Sequence, residues 1–251
     1  MYYGLYLSAA GAFSQSQKVD VLSNNLANVD TVGFKRELAL LEARDSESIE
    51  RGQDVRGSRG LNDIGGGVRM TRTATSYEVG TLRSTGIDTD FAIDRPETFF
   101  QVQRGEEKLL TRAGNFRISG DGRLQTQEGD NVLATDGSPI ILDGQLPWRM
   151  LPGGLIQQAG DTREIGLRKA QDTTKLQKVS QNYFSAAQTN TQPAGPDDRS
   201  IRNGYVEHST VNPMQEMVEL IATQRGYETN IKMIQNHDSI VGSLISRMLR
   251  G

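Results

Sequence analysis

The stretch from Pro213 to Leu249 constrains this chain most, because it reads as one unbroken amphipathic helix. Asn212 can cap it, its side chain accepting from the first unpaired backbone N–H groups. Pro213 stands at the first helical position, where a missing donor costs nothing. Met217, Leu220, Tyr227, Ile231, Ile234, Val241, Ile245 and Met248 recur at heptad spacings and so share one stripe. Met214, Ile221 and Leu244 broaden that stripe, while Gln224 and Asp238 interrupt it with polar groups expected to set register. A helix of about 37 residues spans roughly 55 Å, well beyond the length usual in a compact domain. Such a rod requires a partner along most of its length.

Residues 5–29 carry the matching half of the pattern. Leu5, Ser8, Ala12, Gln15, Val19, Leu22, Leu26 and Val29 fall on alternating steps of three and four, with Ala9 and Phe13 beside the seam. The first half is rich in small residues, so another helix can approach its backbone closely. Asp30 and Thr31 weaken the helix, and Gly33 can take the left-handed conformation that ends it. Phe34 follows, and Lys35 and Arg36 are placed near the helix's negative end. Periodicity leaves two readings of the pair open. One is an ordinary two-helix core; the other is an assembly device whose terminal helices wait for a neighbour.

Composition narrows the function. A chain of 251 residues with net charge −3 is a poor candidate for non-specific nucleic-acid binding. It has no cysteine, which excludes a disulfide framework, a thiolate metal site and a cysteine nucleophile. No apolar run approaches the roughly 20 residues that cross a bilayer. The start, Met1-Tyr2-Tyr3-Gly4-Leu5-Tyr6-Leu7-Ser8, has neither a basic opening nor a continuous apolar core, so no cleavable secretory signal is expected. Only two histidines occur, His208 and His237, without metal-ligand spacing. Ser209 beside His208 makes no catalytic triad, since adjacency in sequence carries no geometry. Asp88, Asp90 and Asp94 lack the later glutamate of a calcium loop, and Gly65-Gly66-Gly67 is not followed by the Gly-Lys-Ser/Thr of a phosphate loop. No enzyme, cofactor or metal is expected.

Residues 37–69 are rich in charge and glycine. Leu38, Leu40 and Leu41 are expected to prolong a helix briefly before an extended, mobile arm, for which a plain disordered loop is the alternative. Residues 68–77 alternate as in a strand. From Asp88 onward short apolar runs such as Phe91-Ala92-Ile93, Phe99-Phe100-Gln101-Val102-Gln103 and Lys108-Leu109-Leu110-Thr111-Arg112 are separated by Asp-Gly and similar turns. They predict a small, mostly antiparallel β domain, which Trp148, Leu155-Ile156, Ile165-Gly166-Leu167 and Tyr183-Phe184 complete. Residues 188–202 have the composition of a surface loop.

Three sets of residues carry a resemblance. Leu22-Ser23-Asn24-Asn25-Leu26-Ala27-Asn28-Val29-Asp30-Thr31-Val32-Gly33-Phe34-Lys35-Arg36 closely resembles the N-terminal motif of bacterial flagellar rod and hook proteins. The run from Asn212-Pro213-Met214-Gln215-Glu216-Met217 to Gly226-Tyr227-Glu228 is similar to that family's C-terminal signature, and Gly204-Tyr205-Val206-Glu207-His208-Ser209 to its entry. In the middle, Asp90-Phe91-Ala92-Ile93-Asp94, Thr111-Arg112-Ala113-Gly114-Asn115-Phe116 and Asp121-Gly122-Arg123-Leu124 also match. Arg95-Pro96-Glu97-Thr98 departs where a glycine-rich turn is usual.

The resemblance implies coaxial helices packed as coiled coils in the inner layer of a helical tube, and an arm reaching along neighbouring subunits. It also implies export through the flagellar type III apparatus, a place in the basal-body rod across the periplasm, and torque passed from motor to hook. Glycines at 60–69 favour a distal rod protein and the compact β domain a proximal one. The implied partners are other copies of the chain and neighbouring rod or hook proteins. No nucleic acid, small-molecule substrate or membrane insertion is implied. The rival reading is a monomeric β-rich binding or adhesin-like module with a two-helix stalk.

The expected fold is α+β: long N- and C-terminal helices forming a coiled-coil-like layer, with a central β domain. Residues 1–36 form the first helix and motif, 37–80 the arm, 81–187 the β domain, 188–212 the return linker and 213–251 the last helix. The expected subunit-interface residues are Leu5, Ala12, Val19, Leu22, Leu26, Val29, Gly33 and Phe34, with Met217, Leu220, Tyr227, Ile231, Ile234, Val241 and Ile245.

Overall fold

The computed structural model describes residues 2–55, 57 and 65–249. They are α+β and fall into two compact units. One contains the two long helices with Glu37–Ala74; the other contains Asn28–Arg36 and Thr75–Val211. The division differs from the five linear segments expected above. The motif after the first helix and the return segment as far as Val211 belong to the β unit, and the arm as far as Ala74 belongs with the helices.

In the helical unit, Tyr2–Ala27 and Pro213–Met248 form helices of 26 and 36 residues. The cap on the second is as expected: the Asn212 side chain accepts from the backbone N–H of Met214 and Gln215. The helices run antiparallel. Gly4 lies under His237, Gly11 under Asn230, and Gly226 under Gln15. Asn25 Nδ2 donates to Glu216 Oε2 at 3.2 Å, and Lys18 Nζ stands 2.8 Å from Glu219 Oε1.

In the first three contacts and the Asn25–Glu216 bond the two residue numbers add to one total, so a single register governs the whole pair. Its centre is small and polar. Ser14, Asn25, Glu216 and Thr223 are buried beside Ala12, Val21 and Leu22. This corrects the expected apolar seam. Gln224 and Asp238, expected to set register, are exposed, and polar side chains seated over glycines hold it instead.

Glu37–Arg44 and Gly67–Thr75 pair as a two-stranded sheet, so the arm is ordered over these residues. Leu38, Leu40 and Leu41 lie in the first of these strands and do not extend the helix. The cause is local. The Asn25 amide bonds both backbone groups of Glu37, donating to its carbonyl at 2.8 Å and accepting from its N–H at 2.9 Å, and so starts a strand there. Ser14 Oγ donates to the Val68 carbonyl at 2.7 Å, which ties the second strand to the first helix. Of the arm expected over 37–80, residues 56 and 58–64 lie outside the described residues.

In the β unit a nine-stranded sheet is built around Thr98–Arg104. On one edge that strand pairs with Glu107–Thr111, and on the other with Asn131–Val132 and Leu167–Ala170, all antiparallel. Alternation sends Phe100 and Val102 into one apolar cluster, with Phe91, Phe116, Leu124 and Ile165, and Phe99 into a second with Leu110 and Phe184. Both faces of the strand are therefore covered around the adjacent Phe99 and Phe100, which point to opposite sides. Trp148–Leu151, Leu155–Gln158 and Asp161–Glu164 form a separate antiparallel meander. Ile201–Asn203 pairs with Phe91–Ile93, and Tyr205–Glu207 with Leu82–Ser84. The return segment is thus woven into the β unit by strand pairing.

Candidate assembly site and its buried charge cluster

The most unusual chemistry lies in the β unit, where three charged side chains meet out of reach of solvent. Lys35 is 0% exposed, Arg112 1% and Glu207 1%. Lys35 Nζ donates to Glu207 Oε1 at 2.6 Å and to the Glu78 carbonyl. Arg112 Nε stands 3.0 Å from Glu207 Oε2 as an ion pair. The same carboxylate accepts from the Gly80 N–H at 2.8 Å. Arg112 Nη1 donates to the carbonyls of Arg95, at 2.6 Å, and Thr98. The Arg95-Pro96-Glu97-Thr98 departure noted in the sequence is therefore the turn that receives the buried guanidinium.

Two buried cations share one buried carboxylate, and the charge of the exposed Glu78 adds a smaller attraction on Lys35. Burial pushes the Lys35 ammonium down to about 8, the Arg112 charge adds to that, and Glu207 opposes both. Burial also lowers Arg112 from its ordinary value, with Glu207 opposing.

The backbone repeats the pattern. The Gly33 N–H donates to the Glu207 carbonyl at 2.8 Å, Thr210 N–H to the Phe34 carbonyl at 3.1 Å, and Arg36 N–H to Thr210 Oγ1 at 2.9 Å. Gly33 has φ +69°, and a Cβ there would stand 2.5 Å from the backbone of Arg112 and Ala113. Gly33 is left-handed, as expected, but the helix already stops at Ala27, so it shapes the turn beyond the helix and admits this close approach. Phe34 is fully buried in the same unit, with Lys178 Nζ 4.1 Å from its ring centroid. The motifs quoted from the sequence thus meet at one point: Lys35 from the N-terminal motif, Arg112 from the middle runs, and Glu207 from the entry to the C-terminal signature. Sequence reading gave none of these three a role beyond placing Lys35 near a helix end. The available signal was a charged residue inside each motif, Arg112 and Glu207 each standing among uncharged or apolar neighbours.

The expected interface residues divide into three groups. Ala12 and Leu22 are buried inside the helix pair, and Gly33 and Phe34 inside the β unit. Leu5, Val19, Leu26, Val29, Leu220, Ile231, Ile234 and Val241 are half-buried, while Met217, Tyr227 and Ile245 are exposed. Among the described residues no group of histidines and carboxylates could hold a metal, and no helix is long and apolar enough to cross a membrane.

Comparison with known proteins bears on this arrangement. Residues 5–35 match the flagella basal body rod protein family. Residues 95–162 match the flagellar hook protein FlgE/F/G D1 domain, and residues 202–247 the flagellar basal body rod FlgEFG protein C-terminal family. The flagellar basal-body rod protein FlgF of Caulobacter vibrioides is 31% identical over 246 residues, covering 97% of this chain and 97% of the relative. The chain belongs to the flagellar basal-body rod protein family. FlgG of Bacillus subtilis is 28% identical over 269 residues, 98% of this chain and 99% of its own. FlgG of Agrobacterium fabrum is 30% identical over 268 residues, with 98% and 99% covered. The three family matches contain Lys35, Arg112 and Glu207 respectively, so each buried charge comes from a different one. The chain is a structural rod subunit of the flagellum, and a monomeric binding module is not favoured.

Proposed function

We propose that this chain polymerises with copies of itself and with neighbouring rod and hook-type proteins into a helical tube, which carries torque from motor to hook across the periplasm. The helix pair supplies the polymer contacts, and the β unit, locked by the Lys35–Arg112–Glu207 cluster, is the rigid body that those contacts connect. One observation carries this reading. The long helix leaves Met214, Met217, Val218, Ile221, Tyr227 and Ile245 exposed, more apolar surface than a helix turned to solvent retains. Met217, Tyr227 and Ile245 then face neighbouring copies, while Ala12 and Leu22 hold the pair together. Export through the flagellar type III apparatus without a cleaved signal, and a lack of any cofactor or small-molecule substrate, go with that role.

The test is Leu220→Glu together with Tyr227→Glu, each expressed in place of the native chain. A carboxylate brought into an apolar contact without a partner opposes assembly. Rod incorporation and swimming are expected to fail, while the fluorescence of Trp148, in the β unit, stays native. Normal rods built from both variants would overturn the assignment of polymer contacts to the helix pair.

A further inference from the structure

The two helices of the pair are unequal, 26 against 36 residues, and their register leaves the excess at one end. Gly4 already lies under His237, so the first helix runs out within a turn of that point. The seam of the long helix continues without it. Val241 lies about five full turns beyond the buried Thr223 and therefore on the same face. Leu244, Ile245 and Met248 follow at steps of three and four. Where the first helix covers the seam, it mixes polar or small residues, Glu216, Thr223, Gly226, Asn230 and His237, with the half-buried Leu220, Ile231 and Ile234. Past the cover the apolar spacing continues, yet every residue from 242 to 249 is exposed, Met248 at 82%. A helix tip meant for water would drop its apolar residues there.

A second apolar stripe occupies the other end of the same helix. Met214, Met217, Val218 and Ile221 repeat at three and four, on the side turned away from the first helix, with Met214 67% and Val218 63% exposed. The overhang and this stripe lie at opposite ends and on opposite sides of one straight helix, so they cannot meet within one chain.

We propose that the apolar overhang of one copy, Val241 to Met248, docks on the Met214–Ile221 stripe of the next copy's long helix. The pairing rests on the polymerisation proposed above and specifies which surfaces make it. The overhang takes a second copy because it prolongs a seam that is itself a helix–helix contact. The matching surface on that copy is an apolar stripe at the same spacing. The contact is heterologous: each copy offers one overhang and one stripe, so one of each stays free at the two ends of any assembly, and the contact propagates. Successive long helices are then offset by about 27 residues, or roughly 40 Å.

The chain has no cysteine, which makes disulfide trapping clean. One of Met214, Val218 and Ile221 is changed to Cys together with one of Leu244, Ile245 and Met248, in all combinations, and expressed in place of the native chain. Isolated basal bodies are oxidised and resolved without reductant. At least one double variant is expected to give a ladder of multiples of the chain mass. The corresponding single variants are expected to give monomers, and two single variants co-expressed a dimer that goes no further. Two results overturn the pairing while leaving the rod role standing: assembled rods with no ladder from any combination, or dimers from an overhang single variant alone, which would mean that overhangs meet each other. Absence of the wild-type chain from basal bodies would overturn both.

Discussion

Replacing Glu207 by glutamine tests whether the buried cluster holds the β unit together. The side chain keeps its shape, and its amide can still accept from the Gly80 N–H, so the change is mainly the loss of one negative charge. Arg112 is then left without a counter-ion and Lys35 with the exposed Glu78 alone, both cations being nearly inaccessible to water. They respond differently. Lys35, already lowered to about 8, can shed its proton at pH 7. That escape limits its share of the loss to roughly 1.4 kcal/mol, one unit of protonation free energy. Arg112 keeps its charge and has no such escape. Removing one partner of a buried pair costs about 3–5 kcal/mol, and most of that loss falls on Arg112 here.

Urea unfolding followed by Trp148, the only tryptophan, which packs 6.3 Å from Phe91 in the same unit, is the assay. The midpoint should fall by an amount equivalent to about 3–5 kcal/mol at unchanged slope. In double variants with Glu207→Gln, Arg112→Met should recover more of the loss than Lys35→Met. A loss below about 1 kcal/mol, or equal recovery by the two second changes, would refute the reasoning.

Two further outcomes follow from the same unit. Lys35 is lowered from an ordinary 10.5 to about 8 in the folded protein, so between those values the unfolded chain binds more protons. Stability of the β unit should therefore rise with pH across that window, by an amount on the order of 3 kcal/mol, and Lys35→Met should remove the rise when unfolding is compared at pH 7.5 and about 10. Gly33→Ala should destabilise by roughly 2–4 kcal/mol, because strain at positive φ adds to a clash with backbone that cannot move aside. Gly86→Ala, at the same φ of +69° with nothing within 4 Å of the added carbon, should cost only about 1 kcal/mol. Equal losses from the two alanines in thermal unfolding would mean that the approach of Gly33 to Arg112 and Ala113 contributes nothing.

Much of the fold was legible because it depends on neighbours in sequence. The 3.6-residue period marked both helices, Asn212-Pro213 marked where the second begins, and Gly33 marked where the first segment turns. The alternation and turn dipeptides around Thr98–Arg104 marked the β unit. What failed was pairing. Leu38, Leu40 and Leu41 read as helix because three leucines fit either period, and the Asn25 amide, twelve residues away, decided for a strand. The apolar heptad was real, but it did not become the intramolecular seam. Periodicity says which residues share a face and says nothing about what that face meets.

The amino-acid sequence alone determined that the chain has two long terminal helices flanking a β unit, and its motifs pointed to the rod family. Tertiary structure alone decided that the helices pair antiparallel over a small, polar centre, and that a lysine, an arginine and a glutamate from three motifs share one buried site. Helix and turn signals act over a few residues, where backbone geometry is dictated locally. A charge pair such as Lys35–Glu207, separated by 172 positions, exists only once the chain has folded back and removed both partners from water.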